Sequence, residues 1–270
     1  MTVIGWILGK YSPDDKIFTA MDKIIDLTPE NIAGQHICCA MADKKSLGGT
    51  NAKKAIIARE YPNGYRFKKL NVNGKVFIEY APAEITISPV LAPGFLQIQC
   101  FWVSGKYKGQ GWGRKLIEAC LLDAQDKNGI VAVSSKKKRP FLADPKFLKA
   151  FGFEIVDEAP PYFNLWALKN KNVPDPKFSD AAKAHQCTKN GIVVYYTAQC
   201  PFTDYYVKNE MVEIAKSYGK ALEVIPVTTA DQAMNVPTAF PLYTVFVDGQ
   251  FLSHEILTHK RFAKLFEQLG

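Results

Sequence analysis

The segment "CFWVSGKYKGQGWGRKLIEAC", Cys100 to Cys120, constrains the fold more than any other stretch of this chain. It opens as an apolar, aromatic run that reads as a buried strand. Gly105, Gly109, Gly111 and Gly113 follow, interleaved with Lys106, Lys108 and Arg114, and then Leu116, Ile117 and Cys120 fall at helical spacing. A strand entering a helix through such a turn predicts an α/β architecture. Glycines there can turn consecutive backbone N–H groups inward, a nest for an anion at the positive end of the helix, with the cations at its rim. That chemistry suits a pyrophosphate. The turn is not a P-loop, because no G-K-[ST] follows. It is not a dinucleotide fingerprint either, because the first glycine pair is mis-spaced and no acidic residue follows the next strand.

Bulk composition narrows the partners. The chain has 270 residues, enough for two cores, with 47% hydrophobic and 22% charged residues. No apolar run reaches the roughly 20 residues of a membrane helix, and "MTVIGWILGK" lacks the basic flank and apolar length of a secretory signal. A cytoplasmic protein without a membrane partner is expected. Cys38, Cys39, Cys100, Cys120, Cys187 and Cys200 form no C-x-x-C pair. Cys38 and Cys39 beside His36 are expected to pack rather than bind metal, since neighbours on a helix point about 100° apart. Residues 1–170 carry 24 Lys and Arg against 16 Asp and Glu, whereas residues 171–270 carry 10 of each. The excess positive charge therefore belongs to the first part, for which the candidate partners are nucleic acid, a membrane surface and a phosphorylated ligand. Nucleic acid ranks below a phosphorylated cofactor, because no recognition helix and no regular alternation of aromatics with lysines appears.

Along the chain, "DKIIDL" reads as a strand, and "TPEN" as a helix entry with Thr28 as cap and Pro29 in the first turn. A helix is expected around Thr50 to Arg59. Strands "YRFKKLNV" and "KVFIEYAPAEITI" are joined at Asn73-Gly74. After the glycine turn come a helix from Gly113 to Asp126, strand "IVAVSS", a short helix capped at Asp144-Pro145, and strands "FEIVDE" and "NLWALK". Residues 171–190, rich in Pro, Asn, Lys and Asp, read as a linker with one short helix around Ser179 to Ala184. A second unit of order strand "IVVYYT", helix, strands "LEVIPV", "LYTVFVDG" and "QFLSHEI", and a last helix from Thr258 follows.

Lys108, Gly111 and Gly113 resemble the acetyl-CoA motif of the GNAT acetyltransferase superfamily, and Val103 stands where that family's strand ends before the turn. The wider runs "HICCAMADKK", "YRFKKLNVNGKVFIEYAPAE", "APPYFNL" and "YYTAQCPFTDYYV" resemble the YoaP-type members of the superfamily, from about Met21 to the C-terminus. The resemblance implies an α/β (α+β) fold: a GNAT acyl-CoA-binding mixed sheet with flanking helices over 21–170, then a small thioredoxin-like domain over 191–270. Residues 1–20 would be an extension. It also implies acetyl-CoA as co-substrate and acetyl transfer to a primary amine of a small molecule or peptide by direct attack, and it leaves room for a homodimer. Phe101, Trp102 and Val103 would polarise the thioester and pair with the pantetheine arm. Lys108, Gly109, Gln110, Gly111, Trp112, Gly113 and Arg114 would hold the pyrophosphate, and "SSKKKRPF" could reach the 3′-phosphate.

This chain departs from the family at the proton-transfer positions. Leu148 stands where a Tyr often protonates the departing thiolate, and Phe141 where an Asn often opens the helix. Tyr107, Tyr162 or water remain as substitutes for the acid, and Glu79 and Glu84 as candidates for the base. Cys200, after a buried strand and at a helix start, is a candidate thiol site. "CPFT" resembles the thioredoxin and glutaredoxin C-P-x-C site with Thr203 replacing the second cysteine, and Pro241 matches that family's cis-proline. The missing second thiol removes the usual resolving step. Two other readings stay open: a monothiol redox or stress protein using Cys200, and a non-catalytic coenzyme-A-binding protein.

Overall fold

Strand β5, Phe95–Val103, is the axis of the molecule: every element that builds the site leans on it. The computed structural model describes residues 24–37, 40 and 43–269. Cys38, Cys39 and residues 1–20 fall outside that set. The first sheet has the order β1-β2-β3-β5-β6-β8-β7, with β1 at Ile24–Asp26, β2 at Arg66–Leu70, β3 at Val76–Pro82, β6 at Gly129–Ser135, β7 at Glu154–Ala159 and β8 at Phe163–Lys169. All its ladders are antiparallel except β5 with β6. That one parallel pair requires a crossover, and the crossover is the glycine turn followed by the helix Trp112–Asp123, α2. "TPEN" makes a turn and a single 3₁₀ turn at Ile32–Gly34 instead of the expected helix. The Asn31 side chain donates to the Asp26 carbonyl and accepts from the Thr28 amide, so it ties the backbone to the end of β1 and competes with helix formation.

Helices cover the two faces of this sheet. On one face α2, Trp112–Asp123, buries Leu116, Ile117, Cys120 and Leu121, and α3, Pro145–Ala150, adds Leu148. The i, i+4 spacing of Leu116 with Cys120 and of Ile117 with Leu121 makes this face of α2 continuous. Over β2 and β3 the opposite face is covered by α1, Leu47–Glu60, through Ile57. Over β6 and β8 that face is covered by the segment after β8 and by the second unit, whose Ala239, Phe240 and Phe251 join Val131, Phe163, Leu165 and Phe178. The expected linker is thus a packed strap. Lys177–Phe178 (β9) pairs with Val90–Leu91 (β4), Ser179 caps Asp180–Ala184 (α4), and Phe178 and Ala182 are buried.

The second unit has a four-stranded sheet of order β11-β10-β12-β13. Its strands are β10 at Ile192–Tyr196, β11 at Leu222–Pro226, β12 at Tyr243–Val247 and β13 at Gln250–Ser253. β10 runs parallel to β11 and antiparallel to β12. Helix α5, Pro201–Tyr205, leads through a π turn at Tyr206–Glu210 into α6, Met211–Ser217. A short helix α7, Ala230–Met234, and a final α8, His259–Phe266, complete the unit.

Candidate active site

The parallel pairing of β5 with β6 covers only Phe95–Ile98 against Gly129–Ala132. Beyond Ile98 the two strands part. The reason lies on the other edge of β5, where Tyr80 opposes Ile98 but Glu79 opposes Cys100, so Gln99 is an extra residue and β5 carries a bulge. A bulge bends its strand and increases the local twist. Phe101, Trp102 and Val103 go on pairing with Ile78, Phe77 and Val76, while the edge facing β6 is left open. A cavity of about 470 Å³ occupies the opening and is lined by Phe101 and Trp102 from β5, Val133 from β6, and Pro140 to Ala143 from the loop that follows. Trp102 and Phe141 line it while remaining 47% and 41% exposed.

The glycine turn stands beside this opening. Gly109 and Gly111 have φ of +75° and +79°, a left-handed backbone that disfavours side chains, and Gly111 caps α2. Among the described residues, the amides of 109 to 113 donate to no backbone carbonyl. They are the donors that an anion would satisfy at this helix end. Gly113 serves packing: a Cβ there would come within 3.2 Å of the Phe147 ring and 3.3 Å of the Phe101 ring. Those two rings stack at 4.6 Å and tie α3 to the open part of β5. Lys108 and Gln110 are exposed on the turn, the Gln110 side chain bridging the Lys106 carbonyl and the Trp112 indole. The Arg114 guanidinium lies 5.2 Å from the Phe151 ring centroid.

Of the four candidate catalytic residues, the fold brings one to the cavity. Glu79 is fully buried behind Lys53, whose ammonium lies 2.5 and 2.6 Å from its oxygens, and it also accepts from the Tyr65 hydroxyl. Glu84 is exposed and accepts from the Gly94 amide at 2.6 Å, which fixes the turn into β5. Tyr162 lines a second, open cleft of about 590 Å³ together with Lys136, Lys137 and Arg139, and Arg139 lines the first cavity as well. Burial pushes the Tyr162 hydroxyl up to about 12, and that hydroxyl lies 2.6 Å from His254 Nδ1. Cys200 lines the 470 Å³ cavity with Pro201 and Pro241. The Phe240–Pro241 bond is trans, against the expected cis-proline; among the described residues the one cis bond is Pro160–Pro161. Thr203, at the second cysteine's place, is buried and donates to the Thr197 and Cys200 carbonyls, bracing the loop that carries the thiol.

Several functional neighbours were invisible in the sequence. Lys53 lines the cavity and donates to the Gln199 carbonyl at 2.5 Å as well as to Glu79. The bulge residue Gln99 accepts a hydrogen bond from the Gln199 side chain. The second unit therefore closes one side of the opening, through contacts that join positions about 100 or more apart in sequence. His254 is a further bolt. Its Nε2 donates to the Pro140 carbonyl at 2.9 Å and its Nδ1 accepts from Tyr162, which requires the neutral ring. Burial lowers its pKa. With the folded value below the unfolded one, the unfolded chain binds the extra proton, so this contribution is present above about pH 6.5 and is lost as pH falls below it. Thermal unfolding followed from pH 8 to pH 5 is expected to fall more steeply for the parent chain than for His254→Gln. Equal slopes would show that this ring carries no linkage.

The chain is similar to known proteins in sequence and in fold. Residues 222–264 match the family model described as YoaP-like. The chain is 38% identical over 249 residues to the uncharacterized N-acetyltransferase YoaP of Bacillus subtilis (strain 168), an alignment that covers 91% of this chain and 99% of that protein. Similar solved structures include Ard1 from Thermoplasma volcanium, with TM-score 0.38 and 16% identity over 55% of this chain and 97% of that one. Another is the GNAT family N-acetyltransferase YhbS from Escherichia coli in complex with CoA, with TM-score 0.37 and 14% identity over 58% of this chain and 89% of that one. At the identity and coverage shared with the Bacillus subtilis protein, the chain belongs to the YoaP-type N-acetyltransferases.

Proposed function

We propose that this chain transfers the acetyl group of acetyl-CoA to a primary amine by direct attack, in a cleft whose acceptor side is walled by the second unit. The observation that carries the reading is the open edge of β5 beyond Ile98 beside the amide-rich turn. The amides of 109 to 113, with Lys108 and Arg114 nearby, would hold the pyrophosphate. The edge at Phe101 to Val103 would pair with the pantetheine arm, and one of its N–H groups would stabilise the oxyanion that forms when the amine attacks the thioester carbon. The C–N bond forms and the C–S bond breaks, and the proton that the attacking nitrogen then sheds passes through water to the departing thiolate, so the products are the amide and coenzyme A. Among the described residues lining the cavity there is no Asp, Glu or His. The ammonium proton of the acceptor would therefore leave through water before attack.

Calorimetric titration with acetyl-CoA tests the reading. The intact chain is expected to bind, and Gly111→Glu, which puts a side chain at φ +79° and a negative charge into the nest, is expected to bind at least tenfold more weakly, about 1.4 kcal/mol. Binding unchanged in the variant would remove the turn from the site.

The order β11-β10-β12-β13 supports a thioredoxin-like reading of the second unit, and the place of Cys200 in the cavity favours a thiol reading of the same space. Cys200→Ser separates the two chemistries: acetyl transfer persists if the thiol is only a wall, and thiol turnover is lost.

A further inference from the structure

The charge lining the cavity is one-sided, and a single guanidinium makes it so. Lys53 is neutralised by Glu79, and Lys138 pairs with Asp144 at 3.0 Å. Arg139 forms no ion pair among the described residues. Glu158, which lines the Tyr162 cleft with it, pairs with Lys136 at 2.6 Å, and Glu255, next to His254 in sequence, pairs with Arg261 at 3.2 Å. Arg139 is half-buried, and its guanidinium carbon lies 3.6 Å from the centroid of the Tyr162 ring. Stacking occupies the flat face of a guanidinium and leaves its N–H edges available for a planar, bidentate acceptor. Tyr162 is itself held by His254, so the stacking platform is fixed.

The remaining lining is largely apolar: Ile87, Val133, Leu142, Phe240 and Leu242 share one cavity with Arg139 and with Phe101 and Trp102 of β5. Among the described residues of the lining there is no anionic side chain to attract a simple cationic amine. An acceptor that carried its own carboxylate would satisfy Arg139, lay an apolar body on those side chains and present its amine to the thioester. The geometry points to an amino acid with an apolar body as the acceptor class, with Arg139 as the residue that selects it. This rests on the acetyltransferase reading above and adds the acceptor's chemistry to it.

The test uses the full chain, acetyl-CoA and matched acceptor pairs that differ only in the carboxylate: L-phenylalanine with 2-phenylethylamine, and L-leucine with isoamylamine, with O-phosphoethanolamine as an anionic amine lacking the apolar body. CoA release is expected to be at least tenfold faster in kcat/KM for the amino acid of each pair. Arg139→Gln is expected to collapse that ratio by raising KM for the acids while leaving the plain amines within about twofold. A merely structural Arg139 would lower both members of a pair equally and keep the ratio, which would overturn the assignment. So would a preference for the plain amines or for O-phosphoethanolamine, either of which leaves the acetyltransferase reading standing. Acetyl-CoA binding with no turnover of any amine, these or a wider panel, would overturn both.

Discussion

Lys53→Met is expected to lower stability by about 3–5 kcal/mol, the usual cost of removing one partner of a buried ion pair. At about 2–4 °C per kcal/mol for a chain of this size, the melting temperature should fall by roughly 6–20 °C. The magnitude follows from burial, since Lys53 is 2% exposed and Glu79 0%. The ammonium donates to both Glu79 oxygens and to the Gln199 carbonyl, so its loss leaves a carboxylate with the Tyr65 hydroxyl and no counter-ion, and leaves the carbonyl without that donor. Neutralising the carboxylate as well, in Lys53→Met with Glu79→Gln, should recover a large part of the loss, because an uncompensated charge costs more than a neutral amide in the same place. A single variant within about 1 kcal/mol of the parent would mean that water reaches Glu79 and that the pair is not part of the junction. The same experiment bears on catalysis. If Glu79 were the base, Glu79→Gln alone would abolish acetyl transfer with acetyl-CoA binding intact; as a buried counter-ion, its loss should track stability instead.

What was legible in the sequence was local. The strand, turn and helix from Phe95 to Asp123 follow from apolar periodicity and glycine placement, and the turn at Asn73-Gly74 falls between β2 and β3 as expected. The parting of β5 from β6 was not legible, because it depends on a one-residue bulge at Gln99 that leaves no compositional mark. The burial of Glu79 was not legible for a related reason. A carboxylate on a strand reads as solvent-facing unless its partner is known, and Lys53 lies 26 residues away on a helix that shows no apolar stripe. The "TPEN" helix failed because Asn31 bonds back to β1, a competition that propensity does not reveal. Cys200 was singled out for its helix start, yet what gives it interest is the cavity it shares with β5, a juxtaposition of residues 100 apart that only the docking of the two units creates.

Gly48 and Gly49 turn that docking into a measurement. Both lie in the first turn of α1, where replacing glycine by alanine ordinarily stabilises a helix by about 0.5–1 kcal/mol. A Cβ on Gly48 would meet only Asp204 Oδ2, at 3.9 Å, so Gly48→Ala should show that ordinary gain. A Cβ on Gly49 would lie 2.1 Å from the Pro201 carbonyl oxygen and 2.8 Å from its carbon. Both are backbone atoms, which no rotamer change can move aside. Gly49→Ala must therefore push α5 away from α1, with the cost of about 1–3 kcal/mol typical of overpacking and the opposite sign to its neighbour. Pro201 and Cys200 line the cavity on what we propose as its acceptor side, and no residue of the glycine turn, 105–111, is among the lining. Gly49→Ala should then raise the acceptor's KM while leaving the acetyl-CoA affinity unchanged. Stabilisation by both alanines would mean that the two units do not meet at α1, and that the acceptor wall has to be sought elsewhere in the fold.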